Sequence, residues 1–222
     1  MHDADNIINN TLSEILDDSR KKLMNLLSLC ESPIEKIFLM KLYSFFHRMN
    51  ASTEGSDFKI LNRYLTNQEE HIVSFDFNNS KSLSTGVYQD PVGPFCLKTE
   101  GLLFKANGIT YRIYPQLALD LGGIKIRLDF ALISETYSEE NKSPEYKQFC
   151  IECDGHEFHK EKEQRSSDNK RMRILTEYKW QTIRYTGTQI YQLTDDGIAE
   201  FENSLCRNIT GKTSQIYLFR KI

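Results

Sequence analysis

The sequence lacks a long apolar run, a secretory signal and a strong excess of charge of one sign, and each absence excludes a class of protein. A membrane-spanning helix needs roughly 20 apolar residues in succession, whereas the run from Ile37 to Met40 has only four. The first residues are acidic and polar, so we expect no signal peptide and no membrane partner. The 28 basic and 31 acidic residues nearly balance, which excludes a broadly basic, histone-like binder.

The composition is that of a globular chain with a substantial core. Of the 222 residues, 39% are hydrophobic and 27% are charged, and the formal net charge is -3. These values exclude an intrinsically disordered tail. The length predicts one large domain, or one domain with an elaboration.

The number of cysteines is odd, which predicts reduced thiols. Five cysteines without a signal peptide are typical of an intracellular protein, so we expect a cytoplasmic location. Cys150, Cys153, His156 and His159 are all zinc-ligand types, and a zinc-stabilised structural domain is therefore one alternative. However, residues 148–154 have the pattern of a buried strand, which would place Cys150 and Cys153 on opposite faces.

Helical patterns dominate the N-terminal part. Apolar spacing predicts a helix over residues 4–29, and Ser32-Pro33 predicts the start of a second helix that extends to Asn50. Mixed signals follow from residue 58 to 100, where we expect little regular structure. The predicted organisation is an N-terminal helix at 1–31 and an α/β domain at 32–222, with an insertion at about 51–100.

Strand patterns dominate the remainder. Asn107-Gly108 predicts a β-hairpin between residues 102–106 and 109–114. Residues 124–133 alternate, which predicts a strand with Ile124, Ile126, Leu128, Phe130 and Leu132 on one face. A polar loop at 134–145, a strand at 148–154, a helix at 161–179, a strand at 181–185 and a helix at 188–207, interrupted near residues 195–197, complete the prediction. The expected fold class is α/β, with a mixed central sheet flanked by helices.

Three carboxylates are candidates for chemistry: Asp129, Glu152 and Asp154. Alternation places Glu152 and Asp154 on one face of a strand, and Asp129 lies on the polar face of the preceding strand. Converging carboxylates repel each other unless a cation lies between them, and Mg²⁺ prefers such oxygen ligands. The alternative is that these are ordinary solvated strand residues.

The helix after this strand supplies further candidates. Gln164, Asp168 and Arg171 share one helical face near the end of the strand at Asp154. Asp168 and Arg171 could form a plain intrahelical ion pair, or they could orient the histidines or touch phosphate.

Several segments together carry a family resemblance. They are Ser32-Pro33-Ile34-Glu35, Tyr114-Pro115-Gln116, Arg127-Leu128-Asp129-Phe130-Ala131, Ile151-Glu152-Cys153-Asp154-Gly155-His156-Glu157-Phe158-His159, Asp168-x2-Arg171-x3-Leu175 and Ile183-Arg184-Tyr185. In this order they resemble the PD-(D/E)xK nuclease superfamily, in particular the very-short-patch-repair-endonuclease-like branch. The resemblance covers roughly residues 32–50 and 102–192.

The resemblance implies a restriction-endonuclease-like fold and Mg²⁺-dependent cleavage of phosphodiester bonds in DNA, with Mn²⁺ able to substitute. It implies Asp129, Glu152 and Asp154 as metal ligands and Glu35 as a residue that holds a metal-bound water. Position 154 is Asp where the superfamily name implies Lys, so His156 or His159 becomes the candidate base, or metal alone suffices. Lys160, Gln164, Asp168 and Arg171 become candidates for substrate binding.

The departure at position 154 keeps a second reading open, in which the fold binds nucleic acid or a protein without cleaving. The net charge does not exclude nucleic acid, because residues 155–185 contain eight basic and five acidic residues. The N-terminal helices are candidates for a homodimer surface or a lid.

Overall fold

The computed structural model describes residues 2–52, 56–61, 73–75, 83–84, 95–97, 100–121, 124–138, 143–154 and 162–214. Their helices are α1 His2–Ser28, α2 Pro33–Ser52, α3 Lys162–Glu177, α4 Gly187–Gln192 and α5 Asp195–Thr210. Their strands are β1 Asp57–Leu61, β2 Val73–Phe75, β3 Leu83–Ser84, β4 Phe95–Leu97, β5 Gly101–Ala106, β6 Ile109–Leu121, β7 Ile124–Ser138, β8 Ser143–Asp154 and β9 Trp180–Thr186.

A six-stranded mixed sheet organises the chain, with the strand order β1-β5-β6-β7-β8-β9. Neighbouring strands are antiparallel except for β8 and β9, which are parallel and are joined through α3. A parallel pair requires such a crossover connection. The strands β3-β2-β4 form a second, small antiparallel sheet. The expected α/β class, with a mixed sheet flanked by helices, is confirmed.

Helices cover both faces of the large sheet. On one face, α2, α4 and α5 bury the major core, which includes Phe38, Phe104, Phe130, Phe149 and Phe201. On the other face, α3 contributes Ile174 and Leu175 to the minor core, which also contains Ala131, Ile133 and Cys150. Because alternate residues of a strand point to opposite faces, the central strands β7 and β8 supply both cores.

Local signals place several elements as predicted. The turn between β5 and β6 has left-handed backbone at Asn107 (φ 57°) and Gly108 (φ 73°), which is the conformation that favours Asn-Gly in a two-residue hairpin. The helix α2 begins at Pro33, directly after Ser32. The predicted helix at 161–179 and strand at 181–185 are α3 and β9. Cys150 and Cys153 lie on opposite faces, in the minor and major cores respectively.

The predicted single apolar face of residues 124–133 is wrong. Ile126 and Leu128 pack in the minor core, whereas Phe130 and Leu132 pack in the major core. The faces exchange because Gln116 on β6 has a left-handed backbone (φ 52°) and falls out of the ladder between the pairs Pro115–Phe130 and Leu117–Leu128. The register is the same on both sides of Gln116, so no residue is inserted; the left-handed residue breaks the extended backbone, and strict alternation of faces does not continue across it.

Three further expectations need correction. Residues 134–138 and 143–145 extend β7 and β8 instead of forming a loop, because their polar residues pair across the two strands. The segment at 58–100, expected to have little regular structure, contains β1 at the edge of the large sheet and the strands of the small sheet. The break between the last helices lies at Leu193 and Thr194, where Thr194 caps α5, and not at 195–197.

In the part of the chain that the structure describes, no helix combines the length and the apolar composition of a transmembrane span.

Candidate active site

Three carboxylates, Glu35, Asp129 and Glu152, meet at one end of the β7–β8 ladder, and we call them the carboxylate cluster. The last pair of that ladder is Phe130 with Ile151, so Asp129 and Glu152 are the next residues on the two strands. Each of the three carboxylates influences the titration of Cys153 at this point, which places them within electrostatic range of one spot. The N-terminal turn of α2 brings Glu35 there.

Glu35 is held by a helix-capping arrangement. The backbone N–H of Glu35 donates to Ser32 Oγ (3.2 Å), and the Ser32 hydroxyl donates to Glu35 Oε1 (2.7 Å). The other oxygen, Oε2, accepts from the backbone N–H of Glu31 (3.0 Å) and from Gln116 Nε2 (2.6 Å). The side chain is only 5% exposed. These hydrogen bonds compensate for its burial and fix its position.

Asp129 is oriented by the neighbouring strand. The backbone N–H of Cys153 donates to its Oδ2 at 2.7 Å. Asp129 therefore faces the end of β8, next to Glu152. Among the described residues, no hydrogen-bond donor is assigned to its other oxygen, Oδ1.

Glu152 is buried, 6% exposed, and both of its oxygens are engaged. Arg171 donates from Nη1 to Oε2 (2.7 Å) and from Nη2 to Oε1 (2.8 Å). Arg171 Nη2 also donates to the backbone carbonyl of Arg127 (2.6 Å), which connects α3 to β7. The thiol of Cys150 donates to Glu152 Oε1 at 2.7 Å. This two-pronged pairing compensates for the buried charge of Glu152.

The surroundings raise the pKa of Asp129 from 3.8 to about 6. Burial is the largest cause, and the charges of Glu152 and Glu35 add to it. The Cys153 N–H and the guanidinium of Arg171 oppose the shift without cancelling it. A carboxylate that remains hard to ionise next to a cationic Arg171 marks a spot where further positive charge would be favourable.

The cysteines around the cluster are held as thiols. Burial is the first cause, and the neighbouring carboxylates add to it: the pKa of Cys30 is raised to about 12, and those of Cys150 and Cys153 are raised further. Thiols in this state are poor nucleophiles, because that role requires the thiolate. The zinc-stabilised alternative would require Cys150 and Cys153 to converge on one ion, whereas they lie on opposite faces of the sheet.

The donor chemistry of the cluster fits a hard divalent cation at Asp129. Carboxylate oxygens are the ligands that Mg²⁺ prefers, and Asp129 is a partly desolvated carboxylate with an oxygen available. Arg171 donates hydrogen bonds to both oxygens of Glu152, so a metal ion that binds Glu152 has to share these oxygens with Arg171. In the ranges that the structure describes, no group of three or more His, Cys, Asp or Glu side chains is arranged as a ready metal site.

The other candidates lie at the same end of the sheet or outside the described residues. Asp154 is the last residue of β8, is partly exposed and is paired with Thr186 of β9. Asp168 lies partly buried on α3, one turn before Arg171. His156, His159 and Lys160 lie outside the described residues, as does the side chain of Gln164.

Two site residues were not singled out from the sequence. Gln116 is the hydrogen-bond donor to Glu35, and its left-handed backbone lies between the β6 pairs that flank Asp129. Arg184 of β9 pairs in register with Glu152, so its exposed side chain lies on the same face of the sheet as Glu152. Both residues occur in the segments that carry the family resemblance, which was the available signal.

Comparisons with known proteins identify no family for the chain. No protein-family model, no curated protein and no solved structure matches the chain. A functional interpretation therefore depends on the chemistry of the cluster.

Proposed function

We propose that the chain is a metal-dependent endonuclease of the restriction-endonuclease-like fold that hydrolyses phosphodiester bonds in DNA. The observation that carries the proposal is the carboxylate cluster, in which Asp129 has a raised pKa beside the buried Glu152 and Glu35. Two arginines, Arg171 and Arg184, flank the same end of the sheet. Acidic metal ligands beside cationic phosphate ligands are the chemistry that phosphoryl hydrolysis requires.

Asp129 and Glu152 would hold Mg²⁺, or Mn²⁺ in its place, with Asp154 as a further carboxylate ligand. When bound, the ion would polarise the phosphate and lower the pKa of its bound water. Glu35 is anchored at both oxygens and would orient that water through a hydrogen bond.

The remaining groups would act on the substrate. Arg184 and the outer part of Arg171 would bind phosphate oxygens, as guanidinium groups do at phosphate sites. Lys160, Gln164 and Asp168 would contribute to substrate binding near the start of α3. His159, or His156, would move the proton to or from the attacking water, because an imidazole titrates near neutral pH.

A plasmid assay tests the proposal. Supercoiled plasmid is incubated with purified protein in Mg²⁺, in Mn²⁺ and in EDTA, together with the variants Asp129→Asn and Glu152→Gln. A matched control is Asp57→Asn, a partly exposed carboxylate on β1 at the far edge of the sheet. We expect metal-dependent nicking by the wild type and by Asp57→Asn, with at least a hundredfold loss in the two cluster variants. Equal cleavage by wild type and Asp129→Asn would refute the proposal.

A second function, binding without cleavage, is favoured by one specific contact. Arg171 neutralises Glu152 directly, and position 154 is an Asp where the superfamily name implies a Lys. In that case the protein retards labelled duplex DNA in a gel with EDTA present, and no cleavage product appears with any metal. The plasmid and gel experiments together therefore separate the two functions.

A further inference from the structure

Helix α1 carries an apolar stripe that is exposed in its N-terminal part and partly buried toward its C-terminal end. Leu12, Leu16, Leu23 and Leu27 follow one another at intervals of four, seven and four residues. At about 100° of rotation per residue, they fall within an arc of about 60° on one face of the helix. Leu12 is 52% exposed and Leu16 is 68% exposed, whereas Leu23 and Leu27 are partly buried. The N-terminal part of the stripe is therefore exposed to solvent, and its C-terminal part packs against the rest of the protein.

The covered end of the stripe opens into an apolar groove. Leu27 of α1 and Ile37 and Met40 of α2 line a depression of about 320 Å³, edged by Lys36, Lys41 and Ser44. Met40 is itself exposed at the surface. The stripe and the groove form one continuous apolar surface, which we call the α1 surface.

The charges of α1 are divided along its length. Exposed acidic residues at positions 14, 17 and 18 precede basic residues at positions 20, 21 and 22. Two such helices side by side repel each other when parallel, because acid then faces acid and base faces base. In an antiparallel pair centred between Ser19 and Arg20, the acidic stretch of one helix faces the basic stretch of the other.

The same register matches the apolar stripe to itself. Leu16 of each copy lies opposite Leu23 of the other, and Leu12 lies opposite Leu27, at the edge of the groove. Asp17 and Arg20 lie on the same flank of the stripe, and the two-fold arrangement brings Asp17 of each copy beside Arg20 of the other. A two-fold interface requires this kind of self-complementarity, in which one patch fits its own copy.

We propose that two copies of this chain associate through their α1 surfaces, as an antiparallel helix pair in which Leu12 of each copy covers the groove of the other. The occupant is a second copy because both the apolar stripe and the charge division of α1 are self-complementary in one register. Exposed apolar surface of this extent is typical of an interface. The proposal is independent of the nuclease activity.

Sedimentation of the full chain between about 1 and 100 µM tests the proposal. We expect a dimer whose dissociation constant rises at least tenfold in the variant Leu12→Gln/Leu16→Gln. Met24→Gln is the matched control, since Met24 is 57% exposed on the same helix but lies well to one side of the stripe. Because all three residues are exposed, circular dichroism should show unchanged folding in each variant.

A charge exchange tests the antiparallel register. Asp17→Arg should weaken the dimer, and adding Arg20→Asp should restore it, because the double exchange recreates the opposite-charge match across the antiparallel pair. A wild-type monomer at 100 µM would overturn the proposal. A dimer that survives the leucine changes, or that is lost equally in Met24→Gln, would also overturn it.

Discussion

Replacing the central carboxylate, Asp129→Asn, should stabilise the fold at alkaline pH. The pKa of Asp129 is about 6 in the folded protein and 3.8 in the reference state, so ionisation opposes folding. A carboxyl whose pKa is raised by folding gives its full stability below the unfolded pKa, and that stability is lost as the pH rises through the folded pKa. The asparagine carries no charge at any of these pH values, and its amide oxygen can still accept from the Cys153 N–H.

The expected gain follows from the size of the shift. One pKa unit corresponds to about 1.4 kcal/mol, so a shift of about two units gives at most about 3 kcal/mol. Asp129 is partly exposed, and solvent screening lowers the expected gain to about 1–2 kcal/mol at pH 8. Near pH 4 the carboxyl is protonated in the folded state but more than half ionised in the unfolded state, so the gain should fall to about 0.5 kcal/mol or less there.

Urea unfolding at pH 4 and at pH 8 measures this difference, in buffers with EDTA so that no divalent cation offsets the charge. Trp180 is the only tryptophan and is buried in β9, so its fluorescence reports the transition. Asp57→Asn serves as the control and should change little at either pH. If Asp129→Asn destabilises the fold at pH 8 by as much as at pH 4, Asp129 is a structural residue, and the claim that its ionisation opposes folding is refuted.

Three further predictions concern stability and substrate binding. Arg171→Met should destabilise the fold by about 2–4 kcal/mol in urea unfolding, because it leaves Glu152 buried without its cation. Adding Glu152→Gln should recover part of this loss. If the effects of the two changes are additive, the two residues are not energetically coupled and the prediction is refuted. Gly101→Ala should cost about 1–3 kcal/mol in the same assay, since an added Cβ would lie 2.5 Å from the carbonyl oxygen of Ile113. Gly108→Ala meets no neighbouring atom and should cost only the roughly 1–2 kcal/mol of its left-handed backbone, so an equal loss at both glycines would contradict the steric argument. Arg184→Ala should change the free energy of unfolding by no more than about 0.5 kcal/mol, because the side chain is exposed. The variant should bind labelled duplex DNA more weakly in fluorescence anisotropy, and the salt dependence of binding should fall by about one phosphate contact. Unchanged binding would exclude Arg184 from the substrate surface.

Local signals explain which elements could be predicted from the sequence. The β5–β6 hairpin follows from Asn107-Gly108, because two successive left-handed residues are rare outside such turns. The start of α2 follows from Ser32 and Pro33, which suit the N-cap and the first helical position. In each case the preference of one or two residues decides the structure, without help from distant parts of the chain.

Elements that depend on pairing partners could not be predicted in this way. The polar ends of β7 and β8 look like a loop in the sequence, yet Ser134 pairs with Lys147 and Glu135 pairs with Tyr146 in the ladder. The exchange of faces at Asp129 depends on Gln116, which belongs to another strand. Neither feature leaves a local pattern, because cross-strand neighbours decide them.

In the candidate site, too, some features could be predicted from local sequence and others depend on distant parts of the chain. Alternation and the resemblance named Glu35, Asp129 and Glu152, and the structure brings these three together. The bond from Gln116 to Glu35 spans 81 positions of the chain, and the one from Arg171 to Glu152 spans 19. The sequence placed Arg171 near the strand end but did not specify its partner, since that requires the packing of α3 on the sheet.

The central claim is that the carboxylate cluster binds a divalent cation at Asp129. The most direct test is a crystal of the full chain soaked in MnCl₂, with anomalous diffraction recorded for the wild type and for Asp129→Asn. We predict an anomalous peak within coordination distance of Asp129 and Glu152 in the wild type, and no peak in the variant. A wild-type crystal with no manganese at the cluster, and with Arg171 still engaging both oxygens of Glu152, would contradict the claim.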